Sequence, residues 1–545
     1  MLRRAVGVVC FLLPTTSGFA GGFRHDNHDE SQLRRRVHSL KSNSDDTSAS
    51  KRIANSQASL GLLLDFGQDV DDADIVKLAS LLKDFSYCHS SIKRIFNVPT
   101  TSAYPFGPTY LKPLSPGDAF ELPMGEDIDP KLASLQCFTA LFLLSSCLEI
   151  KTFVEAVHCG HETLRLLLRL NLVFVDGGCI VPLVHLFALD IPSGDNLVIV
   201  TDLHPNVLRR TSLSETEGAV MYIGPDSISL VHHFEAGIKK FKANGGWPQS
   251  GGCNVLDLCT GSGIQALATM AMLRDINSSS VVADVNDRAL RFARFNAKLN
   301  GFGNRLRTCQ VNLLDESDRK RLQAEKYDIV LANPSQCSPF IPTPPSRSDR
   351  PALLVRKGGD DSGKGCYSSG SGQNRSQMQT YGLFSSGGVD GEDCLRSVIE
   401  LAPHLLNDGG ILAIVSEFMN PSSEDEQNQN CALQKICQWW GSNSGVGMYF
   451  SNELPVSAKI YAERRAISND LEEAALWLTH LKDMNIKEVS PGLLFIIAQK
   501  GGENDNKNLL LSHRIVPKSD RGSIWTPHNK NAIEFTSDKL NELFV

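Results

Sequence analysis

Two short stretches carry residues whose types and spacing could do chemistry. One is the end of "YDIVLANP", where Asn333 and Pro334 close an apolar run. The Asn333 carboxamide oxygen and the Pro334 carbonyl are two neighbouring acceptors for a planar NH2 group. Together they could pull a delocalised lone pair out of conjugation and aim it at an electrophile, which is chemistry by orientation and electrostatics. The other is "NVLDLCTGSGIQAL", where Asp257 ends an apolar run and Cys259-Thr260 lead into Gly261 and Gly263. Those glycines allow a tight turn and a close approach to a ligand that a Cβ would block. Asp284 ends the next apolar run, "VVADV", where a carboxylate can accept both hydroxyls of a ribose.

A loop for a nicotinamide dinucleotide would read GxGxxG and set a helix N-terminus against a pyrophosphate. Here Ala266 holds the third position. An acidic strand end beside the loop suits a ligand bearing an ammonium or sulfonium better than one bearing phosphates. S-adenosylmethionine is such a ligand.

Beyond Pro334 the chain reads Ser335-Gln336, where a flat substrate would need an aromatic face. In strict register Gln336 offers none. With Ser335 to Ser338 taken as an insertion, the sequence resumes at Pro339-Phe340, and Phe340 becomes the stacking residue. Cys337 has no His in a recognisable partner position, so a thiol nucleophile is not supported.

The elements that must hold these residues follow from periodicity. From Cys253 onward, apolar strand runs ("NVLDL", "VVADV", "YDIVLAN", "GILAIVSEF", "GLLFIIAQ") alternate with helical patterns over 265–274, 289–299, 392–406 and 471–484. This predicts a Rossmann-like, doubly wound α/β sheet with its ligand site at the carboxyl ends of the strands. Upstream, helical patterns over 59–63, 74–85, 130–156 and 162–172 precede a hairpin at Asp176-Gly177-Gly178 and strand patterns at 197–201 and 220–223. That order predicts a mainly helical, winged-helix-like N-terminal domain. With only Arg165 and Arg169 in the candidate recognition helix over 162–172, packing or protein contact is favoured over DNA binding.

In this order and context the chain resembles class I S-adenosylmethionine-dependent methyltransferases of the small-methyltransferase type. It is similar to those that methylate release-factor glutamines and to amino-directed nucleic-acid methyltransferases. "DLCTGSGIQAL", "DVNDRALRFARFNAKLNG", "YDIVLANP" and "GGVDGEDCLRSVIELAPHLLNDGGILAIVSEF" carry the resemblance, and "VMYIGPDSISLVHH" resembles the N-terminal attachment of a bacterial and plant subfamily. The resemblance implies that Asp257, Cys259, Thr260, Gly261 and Gly263 line the cofactor's amino-acid end, and that Asp284 holds its ribose. Asn312 then stands where an acid usually faces the adenine. Asn333, Pro334 and Phe340 become the catalytic loop of an N-methyltransferase. Its acceptor is a planar amide or amine, with protein glutamine (as in a translation factor) favoured over an RNA or DNA base. A catalytically impaired cofactor-binding scaffold is the alternative should the split loop not close.

Composition agrees with the protein substrate. Formal net charge is −7 over 545 residues, and the basic residues of "RLRTCQ", Lys320-Arg321 and Arg464-Arg465 are scattered. The fourteen cysteines form no CxxC pair, which argues against structural zinc. Residues 1–20 read as a signal peptide and 21–52 as a Ser/Arg-rich transit-like segment. Together they resemble the bipartite presequences of algae with secondary plastids, with the secretory pathway as the alternative. The expected layout is an N-terminal domain over 53–240, the methyltransferase domain over 241–500 with a Ser/Gly-rich insert at 345–380, and a polar tail over 501–545 whose end could form a short helix.

Overall fold

The computed structural model describes residues 66–95, 129–191, 196–203, 220–243, 252–334, 391–420, 431–465, 471–499, 508–517, 524–526 and 529–544. The presequence, the 59–63 helix, Ser335 to Ser338 with Cys337, Phe340 and the 345–380 insert lie outside the described residues.

The N-terminal part begins with helix α1 (Asp72–Asp84), whose N-cap Asp71 accepts from the Ala73 amide. Helix α2 (His89–Ile95) and helix α3 (Pro130–Phe138) follow. The sequence pattern predicts one helix over 130–156; the structure breaks it. After α3 comes a single π turn, Thr139–Leu143, and Ser145 then takes a left-handed conformation at φ 54°. The chain is thereby turned into strand β1 (Leu148–Glu149) before helices α4 (Ile150–Ala156) and α5 (Gly160–Arg169). Strands β2 (Val173–Asp176) and β3 (Cys179–Pro182) form the expected hairpin, with Gly177 and Gly178 at positive φ, and β3 pairs with both β1 and β2.

A second hairpin, β4 (Val184–Asp190) and β5 (Asn196–Asp202), joins this part to the sheet domain. The outer edge of β5 is covered by side chains of helix α8 (Asp287–Leu299) and the residue after it. Asn296 accepts from the Val200 amide at 2.8 Å and donates to the Val200 carbonyl at 2.9 Å; Asn300 does the same to Val198, both at 2.9 Å. Two asparagines thus do the work of a neighbouring strand, satisfying backbone groups that burial would otherwise leave orphaned. Asn296 also donates to the Ser262 carbonyl at 2.8 Å, inside the glycine-containing loop. A fully buried pair, Arg288 with Asp202, adds a charged link, and Asp202 also accepts from the Val220 amide at 2.6 Å. Val220 to Ile223, expected as a strand, is therefore an extended lead-in held by a side chain, with no ladder of its own.

Helix α6 (Pro225–Ala243), within the span expected for the N-terminal domain, packs with the sheet. Its Leu230, Phe234 and Ile238 share a core with Val255, Ile329 and Leu493. Its Ile228 and Val231 instead join the core of the N-terminal part, so α6 is shared between the two.

The main sheet consists of β6 (Cys253–Leu258), β7 (Ser278–Asp284), β8 (Leu306–Gln310), β9 (Tyr327–Ala332), β10 (Leu406–Met419), β11 (Gly445–Asn452), β12 (Val456–Ser457), β13 (Glu488–Ala498) and β14 (Leu509–Val516). Its order is β8-β7-β6-β9-β10-β13-β11-β14, with β12 against β13. All ladders are parallel except those of β13, which runs antiparallel to β10, β11 and β12. The chain order reverses between β6 and β9, the switch point at which open α/β sheets bind ligands. Helices α7 (Ile264–Met272), α9 (Glu316–Leu322), α10 (Asp393–Leu405), α11 (Ala432–Trp440), α12 (Ala458–Arg465) and α13 (Leu471–Asp483) connect the strands. The segment after Gly501 is more than a polar tail: it supplies edge strand β14 and helix α14 (Lys530–Phe544), whose Leu540 joins the core beneath α6.

Asn296→Ala should leave Val200 and Ser262 groups buried without partners, and should destabilise the fold by about 3 kcal/mol. Urea denaturation is the check; an unchanged midpoint would show that β5 does not depend on this side chain.

Candidate active site at the carboxyl edge of the sheet

Strand register sets the site. Leu258 of β6 is the partner of Ala332 in β9 and of Ala283 in β7. The residues just beyond those partners, Cys259, Asn333 and Asp284, therefore emerge side by side on neighbouring strands, roughly 5 Å apart in the hydrogen-bonding direction. The structure brings the glycine loop, Asp284 and Asn333-Pro334 to one edge, as the sequence led one to expect.

Asp257 is fully buried at the end of β6. Its Oδ2 accepts from Thr260 Oγ1 at 2.6 Å and from the Ala266 amide at 3.2 Å, while Oδ1 is buried with no hydrogen-bond partner. Burial pushes this carboxyl up to about 7, against the pull of the two hydrogen bonds. Thr260 thus serves first as the clamp on Asp257. Cys259 adopts φ 56°, a left-handed conformation costly for a residue with a Cβ, and its Sγ lies 3.6 Å from Cys394 Sγ at the start of α10. That thiol contact, followed by burial, raises the Cys259 thiol well above its ordinary value, so it is no nucleophile.

The two glycines differ. Gly261, at φ 52°, has open space where a Cβ would project. Gly263, at φ 85°, would place a Cβ 3.1 Å from Ala293 Cβ, so it is needed for the turn and for close packing on α8. Asp284 bridges the loop and the start of α8, accepting from the Gly261 amide through Oδ2 and the Asn286 amide through Oδ1, each at 2.9 Å. Desolvation raises this carboxyl as well. Asn312 lies past β8 in an exposed turn; its Oδ1 accepts from the Leu314 amide at 3.0 Å.

The residues that sequence reasoning missed surround Asn333. Its Nδ2 donates to Asp226 Oδ2 at 2.6 Å and to Ser227 Oγ at 3.0 Å. Both come from the first turn of α6, within "VMYIGPDSISLVHH". Burial raises the Asp226 carboxyl; the Asn333 hydrogen bond opposes this and the charge of Glu417 adds to it. Glu417, buried near the end of β10, takes hydrogen bonds from Tyr461 Oη at 2.6 Å and from the Arg465 guanidinium. Arg465 is thus the cation of a buried pair rather than part of a scattered surface charge. Its distance in sequence from Glu417 hid this.

Among the described residues no group of three or more His, Cys, Asp or Glu could hold a metal ion, and no helix is long and apolar enough to cross a membrane.

The family model of ribosomal protein L11 methyltransferases matches residues 246–334, from just before β6 through Pro334. A ribosomal protein uL3 glutamine methyltransferase of Francisella tularensis is 32% identical over 109 residues, covering 20% of this chain and 32% of that protein. Over these residues the sheet domain is similar to S-adenosylmethionine-dependent methyltransferases that act on ribosomal proteins. A second uL3 glutamine methyltransferase, of Burkholderia pseudomallei, is 27% identical over 210 residues, covering 38% of this chain and 57% of that protein. The chain thus spans about a third and rather more than half of these relatives. Among solved structures, a geranyl diphosphate C-methyltransferase of Streptomyces coelicolor A3(2) overlaps with TM-score 0.24 at 10% identity, covering 48% of this chain and 79% of that one. TrmN of Thermus thermophilus gives TM-score 0.22 at 14% identity, covering 48% of each.

The raised carboxyl of Asp257 makes a prediction about stability. Because its folded value lies above its unfolded one, the group's contribution is complete below the ordinary carboxylate range and is lost as pH rises through about 7. The stability difference between the wild type and Asp257→Asn should therefore shift against the wild type from pH 6 to pH 8. Parallel stability curves for the two proteins would contradict the assignment.

Proposed function

We propose that the protein is an S-adenosylmethionine-dependent N-methyltransferase acting on a planar amide, with a protein glutamine side chain as acceptor. The observation that carries this reading is the fixed orientation of Asn333: its NH2 is held by Asp226 and Ser227, and no described donor reaches its carbonyl oxygen. That oxygen and the Pro334 carbonyl, one strand from the glycine loop, are the acceptors an incoming amide NH2 requires.

The residues present fit the cofactor. Asp257 offers a buried oxygen with no partner, and the space beside Gly261 admits a ligand. Asp257 and the backbone from Cys259 to Gly263 would hold its cationic amino-acid end. Asp284 would hold the ribose with the lone pairs left over from its backbone contacts, and the Asn312 amide would lie toward the adenine. When bound, the cofactor would supply an electrophilic methyl group for the acceptor nitrogen, whose departing proton would go to water. Asn333 and Pro334 take the hydrogen bonds of the acceptor NH2 and keep its nitrogen facing the methyl. Phe340 would supply a stacking face.

The uL3 glutamine methyltransferases among the relatives support a protein acceptor, as does the excess of acidic over basic residues, 61 against 54. A ribosomal protein or translation factor made in an organelle reached through residues 1–52 is the substrate class we infer.

Radiolabelled methyl transfer into lysate tests this. The label should resist nuclease and yield to protease, whereas nuclease-sensitive label would point to a nucleic-acid base. Asn333→Ala should lower transfer at least ~100-fold with cofactor affinity unchanged; wild-type transfer in that variant would refute the assignment. Cofactor affinity should also weaken as pH falls below about 7, because a protonated Asp257 cannot face a cation. Calorimetry in buffers of different ionisation enthalpy should show proton release on binding that Asp257→Asn abolishes.

A further inference from the structure

Asparagine is a poor catalytic group unless something decides which end of its amide faces the substrate. The two orientations are nearly equal in shape, and the wrong one sets NH2 against the acceptor's NH2, donor against donor. The first turn of α6 removes that freedom. Asp226, with 2% of its surface exposed, places Oδ2 at 2.6 Å from Asn333 Nδ2, and Ser227 Oγ lies 3.0 Å from the same nitrogen. With Asp226 Oδ2 and Ser227 Oγ both accepting, it is the NH2 end of Asn333 that faces α6.

We propose that Asp226 is the positioning residue of the methyl-transfer site, locking the Asn333 amide with its oxygen toward the acceptor and, through its charge, strengthening that oxygen as a hydrogen-bond acceptor. This rests on the N-methyltransferase reading above. Asp226 contacts Asn333 and not the reacting atoms, so it acts through the asparagine.

Three features of the surroundings suit the role. The Ser227 carbonyl accepts from Gln265 Nε2 at 3.0 Å, tying the start of α6 to the helix that follows the glycine loop. The site's orienting group and its cofactor loop are therefore held by one hydrogen bond. Arg465 and Tyr461 of α12 engage Glu417 of β10, the neighbouring carboxylate that otherwise repels Asp226. Finally, a network of this kind in a low-dielectric setting polarises its members, so that charge placed on the NH2 side is felt at the carbonyl oxygen.

The test compares wild type with Asp226→Asn and Asp226→Ala, each shown by thermal melting to be folded. Asp226→Asn keeps the shape and loses the charge; kcat should fall about tenfold or more, while the acceptor KM and S-adenosylmethionine affinity stay within about twofold. Asp226→Ala should fall further. In 15N-labelled wild type, the Asn333 side-chain NH2 signals should exchange slowly with solvent, and that protection should be lost in Asp226→Ala. Wild-type kcat in folded Asp226→Asn, or a freely exchanging Asn333 NH2 in the wild type, would overturn the proposal. Because the NMR signature needs no turnover, a wild type that shows the protected NH2 but transfers no methyl would refute the activity and not the contact. Should the Asp226 variants not fold, the wild-type signals decide.

Discussion

The parallel pairing of β6 with β9, Leu258 opposite Ala332, is the constraint on which the rest of this site depends. It sets the glycine loop and the Asn333-Pro334 dipeptide on adjacent strands at the point where chain order reverses. A slip of one residue in either strand would turn Asp257 or Asn333 to the other face of the sheet and dissolve the site. The buried core on both faces, with Val255, Leu256, Ile329 and Val330 at or below 1% exposure, leaves no room for such a slip.

Around that pairing the molecule invests in polar contacts made by single side chains. Asn296 reaches both β5 and the Ser262 carbonyl, so the N-terminal hairpin and the cofactor loop share one amide. The Arg288 pair with Asp202, and the hold of Asp202 on Val220, fix the chain just before it delivers Asp226 to Asn333. The N-terminal part is thus a structural partner of the site through β5 and α6. A buried charge pair of this kind is weak evidence for stability and stronger evidence for a specified geometry, since breaking it leaves a bare charge in the core.

Much of this was legible in the sequence. The strands "NVLDL", "VVADV" and "YDIVLAN" are continuous apolar runs, and the structure places Asp257, Asp284 and Asn333 at or just past the ends of those strands. Strands β8 and β14 were not legible, because these edge strands leave most of their residues half-buried or exposed and so lack a continuous apolar run; "LRTCQ" carries an arginine that reads as surface charge. The helix break after Phe138 was hidden because every residue of the π turn is apolar or buried and none is Pro or Gly. Contacts made across long sequence separations, Asp226 with Asn333 and Glu417 with Arg465, leave no periodic trace at all. They need the fold to be known first.

The account centres on an Asn333 amide whose oxygen meets the acceptor nitrogen beside a cofactor held by Asp257 and Asp284. A crystal structure with S-adenosylhomocysteine and a glutamine-containing peptide tests it most directly. The account predicts the glutamine NH2 within hydrogen-bond distance of Asn333 Oδ1 and the Pro334 carbonyl, with the product sulfur in line behind that nitrogen. A glutamine bound elsewhere, or an Asn333 side chain turned out of the pocket with the ligands in place, would contradict it.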